Sequence, residues 1–408
     1  MFPRSAKPVL ERTTLMTSVR LPVPGGRVER YAVRNAPLPT PGSRTVPPTF
    51  NRAAYAAAHV VVDPLAEGDP QLDVTIDWDA TLRFRHYLWD LGFGVAEAMD
   101  TAQRGMGLDW PAALELIRRT LAEAKHRPGV LVGCGAGTDH LKAGEARTLD
   151  DVIGAYETQM ESIEALGGRI ILMASRALAA IARGPADYQR VYDRLLRQVR
   201  HPVVIHWLGE MFDPALAGYW GADDHLQAME TALSVISANA AKIDGVKISL
   251  LSKEKEIFMR RRLPAGVRMY TGDDFNYAEL IEGDERGYSD ALLGIFDAIA
   301  PAASLALERL AAGDKPGFGK LLAPTVPLSR HIFTAPTRYY KTGIVFLAYL
   351  NGLQNHFQMI GGQQSLRSLQ HLAELFRLAD AARVLRDPEL AAARIAIVMA
   401  QGGIGGDA

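Results

Sequence analysis

Asp244-Gly-Val-Lys-Ile-Ser249 is a short run that opens on Asp-Gly and carries the β-branched residues Val246 and Ile248. It is too short for a helix and is bounded by turn residues, the pattern of a strand buried in a sheet. Runs of the same kind recur on both sides. Val267-Arg-Met-Tyr-Thr271 and, more weakly, Gly287-Tyr-Ser-Asp-Ala291 follow it. His59-Val-Val-Val62, Gly94-Val-Ala-Glu-Ala98, Gly129-Val-Leu-Val-Gly133, Arg169-Ile-Ile-Leu-Met173 and Pro202-Val-Val-Ile-His206 precede it. Amphipathic helical patterns lie between them, at 78–91, 111–124, 149–166, 186–197, 225–240 and 291–312. The early runs begin about 30–40 residues apart, the pitch of a strand–helix unit. Eight such units predict an α/β fold of the (β/α)8 TIM barrel type, since a doubly wound sheet usually has five or six strands. No GxGxxG or P-loop spacing follows the first run.

The flanks differ from the barrel. Residues 1–55 are dense in proline and glycine, and 18–33 alternate apolar and polar around Pro24-Gly-Gly26, which predicts a β-hairpin. The stretch to about residue 49 is too proline-rich for a helix or a central strand. Residues 319–408 carry helical patterns at 342–353, 365–378 and 388–400, and the Gly402–Ala408 tail is expected to fray. The expected organisation is an N-terminal extension with a β-hairpin over 1–55, a barrel over 56–318 and a C-terminal helical cap over 319–408.

Composition removes several functions. The chain has 408 residues with 45 Lys plus Arg against 46 Asp plus Glu, so it lacks the basic surface of a nucleic-acid binder. Cys134 is the single cysteine, which excludes an intrachain disulfide and a multi-thiolate zinc cage. No apolar run is long enough to span a membrane. Arg4 and Lys7 are not followed by the apolar stretch of a secretory signal, so a cytoplasmic location is expected.

In a barrel, chemistry gathers at the C-terminal ends of the strands. Lys247 lies in such a strand. A buried amine is costly as a cation, and desolvation lowers its pKa. A neutral amine attacks carbonyls and forms a Schiff base, whose iminium is an electron sink for C–C cleavage or formation. The bland alternative is an ammonium paired with a carboxylate in the barrel mouth, and the spacing alone does not choose between them.

Gly245-Val-Lys-Ile-Ser249, followed by Met269-Tyr-Thr-Gly-Asp-Asp274, resembles the dihydrodipicolinate synthase / N-acetylneuraminate lyase superfamily of class I Schiff-base aldolases. Gly129–Gly137 resembles the family's third strand and its glycine-rich exit, Pro202-Val-Val-Ile205 its fifth strand, and Tyr339–Gly352 its C-terminal helical region. The resemblance spans about residues 58–385. It implies that Lys247 is the imine-forming lysine, that no cofactor is needed, and that the chain assembles as a dimer or tetramer. It also implies that Gly272, Asp273 and Tyr288 contact substrate.

The departures shape the expected substrate. Where the family's second strand ends in Gly-Thr-Thr-Gly-Glu, this chain has Met99-Asp-Thr-Ala-Gln103. Thr101 keeps one hydroxyl, while Asp100 would repel the carboxylate of a 2-oxo acid. The family's catalytic tyrosine is replaced by His206, followed by Trp207, and its substrate-binding arginine by Met211. His206 then takes the proton-shuttling role, Thr101 and the Gly272 backbone position the substrate, and Asp100, Asp273, Tyr288 and Trp207 complete the contacts. The expected partner is a small-molecule carbonyl substrate, a keto-sugar or sugar-acid derivative. One rival is a metal-dependent isomerase or lyase with a divalent ion on Asp63, Glu97 and His206. Another is a non-catalytic sugar-binding barrel.

Overall fold

The computed structural model describes residues 17–39, 47–142 and 144–405. Arg4 and Lys7, part of the proline-rich lead-in, and the last residues of the glycine-rich tail lie outside the described residues. Strands β1 (Ser18–Pro22) and β2 (Val28–Ala32) form an antiparallel hairpin. Strands β3 (Ala54–Ala57), β4 (Gly94–Glu97), β5 (Val132–Ala136), β6 (Arg169–Met173), β7 (Val203–Leu208), β8 (Ile243–Ser249), β9 (Arg268–Thr271) and β10 (Asp290–Leu293) close into an all-parallel barrel, β10 pairing with β3.

Helices α1 (Trp78–Asp90), α2 (Trp110–Ala124), α3 (Leu149–Ala165), α4 (Arg176–Ile181), α5 (Pro185–Gln198), α6 (His225–Ala238), α7 (Lys253–Arg260), α8 (Tyr277–Glu282) and α9 (Ile295–Ala311) lie between and after the barrel strands. Side-chain caps start several of them; Asp77 accepts from the Ala80 amide and Thr148 makes a reciprocal box with Asp151. Helices α10 (Lys315–Leu322), α11 (Val326–Ile332), α12 (Tyr340–Leu350), α13 (Leu369–Ala381) and α14 (Pro388–Gln401) complete the C-terminal region. Every residue of α12 is buried. The hairpin packs on this region: the Tyr31 hydroxyl donates to Asp380 at 2.7 Å, and the Arg34 and Asn35 amides cap the same carboxylate. Among the described residues no helix is long and apolar enough to cross a membrane.

Three strands are shifted from their expected places. The first barrel strand is Ala54–Ala57, ahead of the expected His59–Val62 and across the boundary drawn at residue 56. Val61 and Val62 instead meet the 75–77 segment, through a bond from the Asp77 amide and a bridge to Ile76. The third strand begins at Val132 and the eighth at Asp290, each later than expected.

Two apolar sets divide along the strands. Val246, Ile248 and Trp207 join the large core between sheet and helices, whereas Ile171, Met173, Val204, Tyr270 and Leu292 fill the barrel interior. Tyr270 explains Gly245. A Cβ at Gly245 would lie 2.6 Å from the Tyr270 ring, so only glycine fits beside that aromatic filler.

Behind β9, on α7, Glu256 is buried at 1% exposure. Its Oε1 accepts from the Ser289 hydroxyl at 2.6 Å. Burial pushes this carboxyl up from 4.5 to about 8. Between those values the unfolded chain releases a proton that the folded chain keeps, so stability falls as pH rises through the window. Glu256→Gln should remove roughly 2 kcal/mol of that fall. Thermal unfolding at pH 5 and pH 8 checks this; an unchanged difference between the two would contradict it.

Candidate active site

Lys247 stands on the inner face of β8. Alternation along the strand sends Val246 and Ile248 outward and Lys247 and Ser249 inward, toward the C-terminal mouth. Parallel register places His206 of β7 and Tyr270 of β9 on either side of Lys247. A Cβ at Gly272 would lie 2.8 Å from Lys247 Cε and 2.3 Å from Ser249 Oγ, so glycine there keeps the space beside the amine open. Lys247 is 6% exposed, and among the described residues no group accepts a hydrogen bond from it. Burial lowers its pKa, against the opposing fields of Asp100 and Asp274.

Asp100 is half-buried in the short turn after β4. Asp274, buried, follows β9 and accepts from the Ile295 amide at 2.9 Å. Burial pushes its carboxyl up to about 7, although that bond and Lys247 act the other way. His206 is buried with Nε2 3.3 Å from the Ser249 hydroxyl. Burial and the neighbouring Lys247 hold its pKa well below the ordinary value, so it stands as a neutral imidazole. This differs from a histidine titrating near neutrality: the strand that aims His206 at the site also strips it of water.

Thr101 is buried, and its hydroxyl is 2.9 Å from the Tyr340 hydroxyl at the start of α12. Gly294, at the exit of β10, lets both approach; a Cβ there would lie 3.2 Å from the Tyr340 ring and 3.4 Å from Thr101 Oγ1. Lys341, the next residue, is 4% exposed and feels Asp100, Asp213 and Arg176 at the strand exits. The mouth thus gathers Lys247, His206, Thr101, Asp100 and Gly272 with Asp274, Tyr340 and Lys341.

Other expected site residues lie elsewhere. Asp273 is turned into its own loop, accepting from the Phe275 and Asn276 amides and from Asn276 Nδ2. Trp207 alternates outward from His206 and packs near Trp220 and His225. Tyr288 precedes β10, on the opposite rim, and its ring lies 3.4 Å from the Arg52 guanidinium carbon. The metal trio of Asp63, Glu97 and His206 does not assemble. Asp63 caps its own turn through the Leu65 amide. Glu97 points outward between α1 and α2, where it accepts from Arg85 Nε and Nη2 at 2.9 and 2.8 Å and from Thr120 at 2.6 Å. Among the described residues no group of three or more His, Cys, Asp or Glu converges as a metal site. Cys134 is buried on the outer face of β5 as a small apolar filler, its thiol pushed up by burial.

Sequence reasoning missed Asp274, Tyr340 and Lys341. The Thr-Gly-Asp-Asp turn signalled a carboxylate after β9, but not which of the two faces inward. Tyr340 and Lys341 lie in the Tyr339–Gly352 stretch that resembles the family's C-terminal helical region, where the aromatics read as packing residues rather than as part of the mouth.

A family model described as protein of unknown function, DUF993, matches residues 19–404. The chain belongs to this family. A search of the curated proteins found no significant match to the DUF993 chain. Among solved structures, its fold matches a prophage protein of the dihydrodipicolinic acid synthase family from E. coli K12 in complex with pyruvate, with TM-score 0.63 and 13% identity over 82% of this chain and 100% of that one. Dihydrodipicolinate synthase from Thermotoga maritima matches with TM-score 0.60 and 14% identity, over 83% and 100% of the two chains. The enzyme from Aquifex aeolicus matches with TM-score 0.60 and 11% identity, over 82% and 99%. The DUF993 chain therefore has the dihydrodipicolinate synthase fold, as the Gly245–Ser249 and Met269–Asp274 stretches implied.

Proposed function

We propose that this protein is a Schiff-base-forming lyase or aldolase acting on a small hydroxylated carbonyl compound, a keto-sugar or sugar acid. The observation that carries the reading is Lys247: an amine inside a closed barrel, at its C-terminal mouth, with no hydrogen-bonded carboxylate among the described residues. In its neutral form it attacks the carbonyl carbon, the carbinolamine hydroxyl is protonated and leaves as water, and the iminium takes the electrons of the bond between the α and β carbons as a base removes the β-hydroxyl proton, leaving an enamine and a released carbonyl fragment. Asp274 is the group suited to move protons at neutral pH, and the Thr101–Tyr340 pair and Asp100 hold substrate hydroxyls.

Cleavage of 2-ketoses and 2-oxo sugar acids should persist in the presence of EDTA. Activity abolished by EDTA and restored by a divalent ion would contradict the reading. With Asp274 as the base, kcat/KM should rise with pH through an inflection near 7, the value to which burial pushes its carboxyl. Asp274→Asn should lower kcat/KM by about 10²-fold and flatten that limb. A retained inflection would assign the base to another group.

A further inference from the structure

The aromatic side chain that leaves β7 crosses the barrel mouth. Phe212 lies just past β7, and its ring packs edge-on against Phe333 and Tyr340, with centroids 6.2 and 6.0 Å away. Those two rings stack on each other at 4.3 Å. They meet Gly294 at the exit of β10, where a Cβ would lie 3.2 Å from both, and Tyr340 reaches Thr101 past the exit of β4. β10 and β4 each stand three strands from β7 around the closed barrel. A contact between these sides spans the mouth, and Lys247 projects inward from β8, between them. All three rings are buried. The segment that carries Phe212 is short. It begins at Gly209, where a Cβ would lie 2.9 Å from the Ser249 carbonyl oxygen, so only glycine fits. The Phe212 and Asp213 amides return to the Gly209 carbonyl at 3.0 and 3.3 Å, and Leu216 is anchored in the core. Arg176, at the start of α4, ties the segment to its neighbours. It donates to the Asp213 carboxylate and, through both Nη atoms, to the Gly105 carbonyl at 3.3 Å. Arg176 is half exposed, and such a pair is weak and screened by salt, so it holds the segment without locking it.

We infer that residues 209–214 form a lid over Lys247, with Phe212 as its cover and the Asp213–Arg176 pair as its latch. Opening swings the Phe212 ring off Phe333 and Tyr340 and lets a small molecule reach the amine. Closing keeps water from whatever is bound there. The lid concerns access to Lys247 and does not depend on an imine forming with substrate.

The probe is formaldehyde with cyanoborohydride, which methylates amines it can reach. Methylation of Lys247 in the intact protein is followed by peptide mass spectrometry, with the exposed Lys320 as internal reference. In wild type Lys247 should react at least about tenfold more slowly than Lys320, because only the open fraction reacts. Its rate should rise with salt as the latch is screened. Phe212→Ala removes two aromatic contacts and should speed Lys247 by about tenfold or more. Arg176→Gln should speed it about two- to fivefold and abolish the salt dependence. Lys320 should be unchanged throughout. Arg176→Gln alters a half-exposed side chain, so it stays informative should Phe212→Ala fail to fold. Lys247 reacting as fast as Lys320 in wild type would overturn the lid. So would a wild-type rate in Arg176→Gln or in folded Phe212→Ala. Either result leaves the Schiff-base reading standing, since methylation reports access and not catalysis.

Discussion

Lys247→Met should lower turnover by at least about 10³-fold, because a missing nucleophile leaves only binding and the surrounding polar groups to act. Methionine fills nearly the same volume without a charge. Lys247 is 6% exposed and lacks a hydrogen-bonded partner among the described residues, so folding loses no contact of consequence. Removing a buried amine should leave Tm unchanged or raised. Lys247→Arg should not rescue turnover, since a guanidinium stays protonated and cannot attack a carbonyl. Turnover within tenfold of wild type in a folded Lys247→Met protein would move the chemistry away from this strand.

Glu97→Ala should cost about 3–5 kcal/mol of stability, the penalty for stranding a buried charge. Arg85 and Glu97 are both fully buried, and Thr120 adds a third element to their network, tying β4 to α1 and α2. The double variant Arg85→Met, Glu97→Met should recover much of the loss, because the remaining desolvated charge is gone. Denaturant unfolding of the single and double variants checks both statements. The same variant separates two roles of Glu97: a metal ligand would make stability sensitive to chelator, whereas an arginine partner would not. A chelator-sensitive wild type would revive the metal reading.

The inner strands were legible because β-branched runs bounded by turns have few alternatives. Pro202–His206 and Gly245–Ser249 fall within or almost on β7 and β8. The first strand was not, because Ala54-Tyr-Ala-Ala57 has small residues where sequence patterns look for valine and isoleucine. Ala54 and Ala56 face the helices in the large core, while Tyr55 between them turns inward beside Tyr270, with ring centroids 6.1 Å apart. The late start of β10 has a functional consequence: it puts Tyr288 before the strand rather than after it, and so on the wrong rim. Trp207 was recoverable from alternation alone, once its neighbour His206 is taken as inward. Asp274 was hidden by turn geometry, which engages Asp273 in its own loop and leaves the next carboxylate for the mouth. Tyr340 and Lys341 arrive on α12, nearly a hundred residues beyond Lys247. Only the tertiary packing of that buried helix brings them to Thr101 and Asp100.

Two buried amines now face one barrel mouth, so the position of the covalent bond is the direct test. The chain is incubated with a 2-oxo sugar acid, reduced with borohydride and digested with trypsin, and the adduct is located by mass spectrometry. The expected result is a mass increase on Lys247, with cleavage blocked after that residue, and an unmodified Lys341. An adduct on Lys341 alone, or none on either lysine while the compound is turned over, would contradict the account.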